Sequence, residues 1–335
     1  MKKIVYIVPY FGKLRSDFAL WMESCAKNPT VDWLLYTDDK DNAVFHSSKV
    51  PANVIVKFVT FEEMFDKIQK CYDFNVELPA PYKLCDYRPA FGEIFHDEIT
   101  EYDFWGHCDM DLVFGNVREF LTEDVLEKYD RVGRWGHSIF YRNTQENNAR
   151  YRSKLNGVIN YKEVFTDKKN RFFDETGMLE VYNALGIETY CGLRIADLHP
   201  SWWNFEIFTK DPEERIRNKH RVFAWEDGTL NSYTVYNNRV HVNTFMYVHF
   251  LRRPMQLHGF DKPVEKMWII PNEIHNVSEI NPSVSLIKKV SKNRMDKYWL
   301  SFIKRKWKQI TPQKVYVYVK GRIRGSIRRT LGKGQ

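Results

Sequence analysis

Residues 4–8 read Ile-Val-Tyr-Ile-Val and stop at Pro9. The run is apolar, largely β-branched and too short for a helix, and a proline cannot donate to a sheet ladder. It therefore predicts a buried strand that ends there. The pattern recurs: residues 33–36 predict a second strand ending at Thr37, Asp38 and Asp39, residues 54–59 a third, and residues 103–106 a fourth that runs into Asp109. Helical spacing fills the intervals at 16–26, 61–71 and 89–96, the last with Pro89 in its first turn. Strands alternating with helices over the first 110 residues predict βαβ units and a parallel sheet. In such sheets ligands bind beyond the carboxyl ends of the strands. Residues 9–12, 37–39 and 107–111 all fall at such ends, which predicts one composite site.

Beyond residue 130 the pattern turns mixed. A strand at 139–141, a helix at 145–155, a hairpin at 223–236 turning on Asp227-Gly228, and a long strand at 240–250 are expected. The fold class read from this is α/β: a nucleotide-binding half over 1–115, a mixed α+β half over 116–285, and a basic helical tail over 286–335.

The formal net charge of +8 is uneven, because residues 288–335 carry sixteen Lys or Arg against one acid, Asp296, and the remainder is acidic in balance. In that tail Tyr298, Trp299, Phe302, Ile303, Trp307 and Ile310 recur at helical spacing among Lys304, Arg305, Lys306 and Lys308. A basic amphipathic helix with aromatics at its boundary fits an anionic membrane surface; a helical pair packed on the body is the other reading. Nucleic acid is not an expected partner, since no binding motif is present and the body is acidic. Five cysteines without a CxxC pair argue against a disulfide framework or a zinc ribbon and suit a reducing compartment. No stretch of eighteen apolar residues occurs. The expected location is cytoplasmic, peripheral on the inner face of the cell membrane.

Chemistry concentrates at residues 104–114, Phe-Trp-Gly-His-Cys-Asp-Met-Asp-Leu-Val-Phe. Asp109 and Asp111 stand between apolar segments, where carboxylates are costly to bury without a positive partner. Two carboxylates at i and i+2 converge on one hard divalent ion when the chain turns at a strand end. Mg²⁺ and Mn²⁺ prefer oxygen ligands and neutralise a departing diphosphate. Neither a GxxxxGK[ST] nor a GxGxxG occurs, so ATP phosphate-loop and NAD readings lack support.

The segment GHCDMDLVFG at 106–115 resembles the DxD motif of GT-A glycosyltransferases. The preceding YKLCDYRPAFG at 82–92 is similar to the segment before that motif in bacterial capsule and O-antigen polysaccharide transferases, and distantly in the glycogenin and lipooligosaccharide galactosyltransferase group. The resemblance implies a UDP-sugar donor and Mn²⁺ or Mg²⁺ on Asp109 and Asp111. It also implies a third ligand from a histidine in an HF…KP context. MYVHFLRRPM at 246–255 offers His249, with Arg253 in place of the family's lysine; the spacing is short and the family's glycine is missing, so His258 stays open as the alternative. VPYFGK at 8–13 looks like the loop that holds the base, with Pro9 and either Tyr10 or Phe11 against it, and YTDD puts Asp38 near the ribose. Lys83, Asp86 and Arg88 are the expected diphosphate and ribose contacts.

Asp174 and Glu175, in RFFDETGM, are the candidate catalytic carboxylates: a general base if the enzyme inverts, a charge-stabilising group on the donor face if it retains. A helix N-cap explains the same pair without catalysis. Trp135, Gly136, His137, Trp202 and Trp203 are acceptor platforms or core. The activity implied is sugar transfer from a UDP-sugar to a glycan or lipid-linked acceptor in surface polysaccharide synthesis. A metal-dependent nucleotidyl or phosphoryl transferase, or a non-catalytic carbohydrate- or membrane-binding protein, are the alternatives.

Overall fold

The computed structural model describes residues 1–46, 50–198, 204–212, 215, 220–261, 263–264, 266–291, 300, 303–304 and 307 of the chain. Trp202, Trp203, Lys262 and nearly all of the basic tail lie outside the described residues.

Strands β1 (Ile4–Pro9), β2 (Val31–Thr37), β3 (Val54–Phe58) and β4 (Phe104–Cys108) form the parallel part of a sheet in the order β3-β2-β1-β4. Next in sequence come β5 (Leu112–Phe114), β6 (Arg131–Val132), β7 (Ser138–Arg142), β8 (Thr189–Tyr190), β9 (Ile195–Asp197), β10 (Glu206–Phe208), β11 (His220–Glu226) and β12 (Thr229–Tyr236). The last are β13 (Arg239–Thr244), β14 (Tyr247–His249), β15 (Gln256–His258), β16 (Lys266–Ile270) and β17 (Glu273–Val277). Strands β7, β6 and β8 extend the first sheet beyond β4, with β7 antiparallel to it. The expected α/β architecture with a parallel, Rossmann-like portion is therefore present. Strands from both sides of residue 115 share that sheet.

Alternation along β1 explains its two-sided burial. Ile4, Tyr6 and Val8 pack on the face that carries helix α1 (Phe18–Ala26), with Trp21 and Trp33. Val5 and Ile7 pack on the opposite face with Met64 and Ile68 of α2 (Phe61–Gln69). A strand buried on both faces needs to be apolar throughout, as this one is. Helix α2 starts at a capping box: the Glu63 N–H donates to Thr60 Oγ1, and the Thr60 N–H donates to Glu63 Oε2.

A four-stranded sheet in the order β10-β9-β14-β5 sits where the chain leaves β4. Its registers decide the site. His249 of β14 lies opposite Leu112 of β5 on one side and opposite Asp197 of β9 on the other. The third sheet runs β13-β12-β11-β16-β17-β15. Its β11–β12 hairpin turns at Asp227 and Gly228, both with positive φ, as the Asp-Gly signal predicts.

Three expected elements differ. The helix expected at 89–96 is a chain of short turns, Leu84–Tyr87, Arg88–Ala90, Phe91–Ile94 and His96–Ile99, because Pro89 lacks an N–H to continue a ladder from the turn before it and Phe95 leaves helical geometry. The helix expected at 145–155 tightens to a 3₁₀ turn after Ala149. The long strand expected at 240–250 divides between two sheets: β13 pairs with β12, and β14 with β5 and β9. Residues 240–244 alternate apolar and polar side chains and an apolar run begins at Phe245, so the division falls where the pattern changes.

The helix Val284–Val290 packs its Ile287 under the third sheet with Val222, Ala224, Trp268 and Ile270. No helix among the described residues is long and apolar enough to cross a membrane.

Candidate active site

A cleft of about 640 Å³ opens where β1, β4 and β14 end. Its floor is polar. Asp109 and Asp111 follow β4, and His249 ends β14 one strand away. His249 Nε2 lies 3.2 Å from Asp111 Oδ1 and 3.6 Å from Asp109 Oδ2. On its other side His249 Nδ1 is 3.1 Å from Asp197 Oδ1. Asp197 also lies 3.6 Å from His137 Nε2, and His137 Nδ1 is paired with the Tyr247 hydroxyl at 2.9 Å. A buried row thus runs Tyr247, His137, Asp197, His249, Asp111.

Three carboxylates in so dry a place demand positive charge. Burial works against a charge on His249, yet Asp111 and Asp197 hold its pKa well above the ordinary histidine value. Burial likewise works against ionised Asp111, but His249, Arg15 and the Arg252 N–H hold its carboxyl well below the usual carboxylate range. His137, in contrast, is pushed by burial down to about 4 despite Asp197, so it sits neutral. The Arg252 N–H reaches Asp111 Oδ2 because Leu251 and Arg252 both adopt positive φ, 50° and 61°. Two successive non-glycine residues in that region store strain at the cleft.

A second carboxylate group lies across the cleft. Arg88 joins the two: its Nη2 donates to Asp109, while its Nη1 donates to Asp174 Oδ2 at 2.9 Å and to the Gly136 carbonyl at 2.8 Å. Glu175 Oε1 accepts from the Gly136 N–H at 3.1 Å. Gly136 has no room for a side chain, since a Cβ would stand 2.6 Å from Glu175 Cγ and 2.7 Å from Asp174 Oδ2. Burial pushes the Asp174 carboxyl up to about 7 against the pull of Arg88, and it raises Glu175 as well. Neither is a capping residue: they lie within a turn of π type, Phe173–Gly177, that makes no side-chain cap.

The rim brings Pro9, Tyr10, Arg15, Tyr82, Phe172 and Arg252 together. Tyr10 is half-exposed, whereas Phe11 is buried edge-on against Phe61 and leaves Tyr10 as the open ring of the pair. The Arg252 guanidinium lies 4.2 Å from the Tyr82 ring centre. Phe172 is exposed at the mouth and holds φ 55°.

Other residues singled out in the sequence stand apart from the cleft lining. Asp38 accepts the Gly12 N–H at 2.7 Å and so shapes the loop after β1, where Gly12 has φ 89°. Lys83 and Asp86 form a buried pair at 2.7 Å. Lys83 donates to the carbonyls of Val164 and Lys169, and Asp86 accepts the N–H groups of Arg171 and Phe173. They tie down the backbone that carries Asp174 and Glu175. Arg253 is buried and donates to Asn272 Oδ1 at 2.6 Å; its neighbour Arg252 lines the cleft instead. His258 lies in the third sheet, on β15. Asp197, Arg15, Arg252 and Phe172 were not anticipated. Asp197 does carry a signal, a carboxylate closing the apolar pair Ile195 and Ala196, the pattern that drew attention to Asp38 and Asp109.

The chain belongs to a protein family of unknown function, DUF6625, whose model matches residues 6–278. No curated protein sequence matches. Similar solved structures include apo mouse xyloside xylosyltransferase 1, at 11% identity over 60% of this chain and 88% of that one, with a TM-score of 0.35. They also include the galactosyltransferase LgtC with donor and acceptor sugar analogues, at 10% identity over 75% and 87%, with a TM-score of 0.36. A third is the apo glycosyltransferase GlyE of Streptococcus pneumoniae TIGR4, at 11% identity over 58% and 45%, with a TM-score of 0.31. Likeness at this level carries no functional weight, so function is read from the side chains in the cleft.

Proposed function

We propose that this member of the DUF6625 family is a GT-A-type glycosyltransferase that moves a sugar from a UDP-sugar to a hydroxyl of a glycan or lipid-linked acceptor. The observation that carries this reading is the convergence of Asp109, Asp111 and His249, whose ligating atoms lie within 4.8 Å of one another on the cleft floor.

Those residues fit a divalent ion. They offer two carboxylates and one imidazole, and Asp111 is buried, where a carboxylate needs positive charge beside it. Oxygen with one nitrogen suits Mn²⁺ better than Mg²⁺, which prefers oxygen alone. When bound, the ion supplies neutralising charge to a leaving diphosphate. Asp197 orients His249 by accepting from Nδ1, which keeps Nε2 turned to Asp109 and Asp111.

The rest of the cleft divides by chemistry. Tyr10 presents a ring to the base. Arg252 offers forked donors to the phosphates, whereas Arg15 at the rim is held through Nε and Nη2 by Asp17. Arg88 holds Asp109 and Asp174 a fixed distance apart, so that the sugar lies between the metal ligands and the carboxylates. Asp174 and Glu175 in their ionised form act on the sugar side, accepting the acceptor's proton or offsetting charge at C1. Trp135, with Tyr190 and Phe208, lines a second hollow of about 600 Å³ beyond Gly136 that suits an acceptor sugar. The basic residues 288–335 hold the protein at an anionic membrane surface.

Titration calorimetry with UDP, with and without Mn²⁺, tests the reading, followed by UDP release from a panel of UDP-sugars. Metal-enhanced UDP binding and sugar-dependent release are expected. A preference for a triphosphate points to the nucleotidyl alternative, and no nucleotide binding to a non-catalytic protein. Flotation of the intact protein with anionic liposomes at low salt tests the tail.

A further inference from the structure

Outside the cleft, a second group of metal-ligating side chains stands on the third sheet. Strand β15 is the edge strand, and it pairs with β17 in parallel so that His258 is level with His275 and Gln256 with Glu273. Residues two apart on a strand share a face, so Glu273 and His275 project together. The two imidazoles stack at 4.5 Å between ring centres with 15° between planes. His275 Nε2 lies 2.9 Å from Glu273 Oε2. One nitrogen of each ring and one carboxylate oxygen are within 4.8 Å of one another. His258 is exposed and the other two half-buried, so an ion reaches them from solvent.

The geometry points to a second metal centre at His258, Glu273 and His275, for a Zn²⁺-type ion with water in its fourth position. Two imidazoles and one carboxylate form a nitrogen-rich set that suits Zn²⁺ and the late first-row metals over Mg²⁺ or Mn²⁺. It differs in kind from the cleft floor, which offers two oxygens and one nitrogen. The site is placed to matter. Strand β15 begins four residues after Arg252, and the Gln256 N–H donates to the Asn272 carbonyl at 2.8 Å, beside the Arg253 contact with Asn272. An ion shared by β15 and β17 clamps the edge strand, and with it the far end of the strained loop that turns Arg252 toward Asp111. This inference does not depend on what the cleft transfers.

Metal-free protein, titrated with Zn²⁺ against a chromophoric chelator, gives the test. Beyond any Zn²⁺ taken up at the cleft floor, the expected result is one equivalent bound with a Kd below about 10 µM. It weakens by more than about 10-fold in His258→Ala and in His275→Ala, and persists in His249→Ala. Zn²⁺ should also raise the melting temperature of His249→Ala, which lacks the cleft-floor imidazole, but not of His249→Ala combined with His258→Ala. His258 is exposed, so its replacement leaves folding intact. Unchanged Zn²⁺ binding in His258→Ala, or binding weaker than that Kd in the wild type, overturns the proposal.

Discussion

The cleft floor and the β15–β17 edge are built from the same residue types in opposite settings. At the floor, Asp109, Asp111, Asp197 and His249 come from three strand ends; Asp111, Asp197 and His249 are buried and Asp109 is half-buried. At the edge, His258, Glu273 and His275 come from two paired strands and remain open to solvent. Burial makes the difference. In the cleft each carboxylate is set against a positive group or a donor, so Asp111 and Asp197 draw the His249 pKa above its ordinary value against burial, and Arg88 bridges Asp109 and Asp174. At the edge solvent reaches the group, and the side chains meet through the stacked imidazoles and the contact of His275 with Glu273. A ligand set in the interior is thus specified by its surroundings; one on the surface is specified by register alone.

Substitutions can break this comparison. Asp111→Ala should have the largest effect: transfer falls by about 1,000-fold, the scale of losing a group that stabilises developing charge. Titration calorimetry should show that Mn²⁺ no longer strengthens UDP binding, with Zn²⁺ binding at the edge unchanged. If Mn²⁺ still strengthens UDP binding in that variant, the floor is not the metal site. Gly136→Ala comes next. Its methyl group displaces Asp174 and Glu175 by several tenths of an ångström or more, and kcat should fall by about 100-fold. Metal-enhanced UDP affinity should stay as it was, because the metal ligands lie across Arg88; equal losses in both would show that the two carboxylate groups act as one.

Asp197→Ala should weaken Mn²⁺ binding by about 10- to 100-fold, and Asp197→Asn, which keeps an acceptor for His249 Nδ1, should recover part of it. Wild-type affinity in Asp197→Ala would mean that β14 alone holds the imidazole in place. The smallest effect is on stability against pH in the metal-free protein. Asp174 titrates near 7 when folded and near 3.8 when unfolded. Between those values the native state binds the extra proton, so this group's contribution to stability declines as pH rises through that window and is constant above it. The melting temperature of Asp174→Asn relative to the wild type should therefore climb from about pH 4 to pH 7 and then level off. A pH-independent difference would contradict a buried, proton-retaining carboxyl.

Local chemistry was legible where it is self-contained. A five-residue, largely β-branched run before Pro9 has few options other than a buried strand, and Asp227-Gly228 between alternating segments turns as its φ preferences require. Asp109 and Asp111 stood out because apolar neighbours make ionised residues conspicuous. Lys83, Asp86 and Arg88 lie within six residues on one polar segment and were read alike, but Lys83 and Asp86 pair with each other and face inward, toward the backbone of 164–173. Arg252 and Arg253 are adjacent and chemically identical. Two left-handed residues in a row decide that the first lines the cleft and the second turns to Asn272. Asp197 lies 52 residues before His249, and only the β9–β14 register joins them.

The amino-acid order by itself set the α/β alternation, the strand ends at which polar residues gather, and the kinds of donor available for a divalent ion. Those follow from periodicity and side-chain chemistry, which act over a few residues. The tertiary structure decided which of the arginines, histidines and carboxylates meet. Pairing between distant strands and the sign of a few φ angles are settled by the packing of the whole chain, and no short stretch of it contains that information.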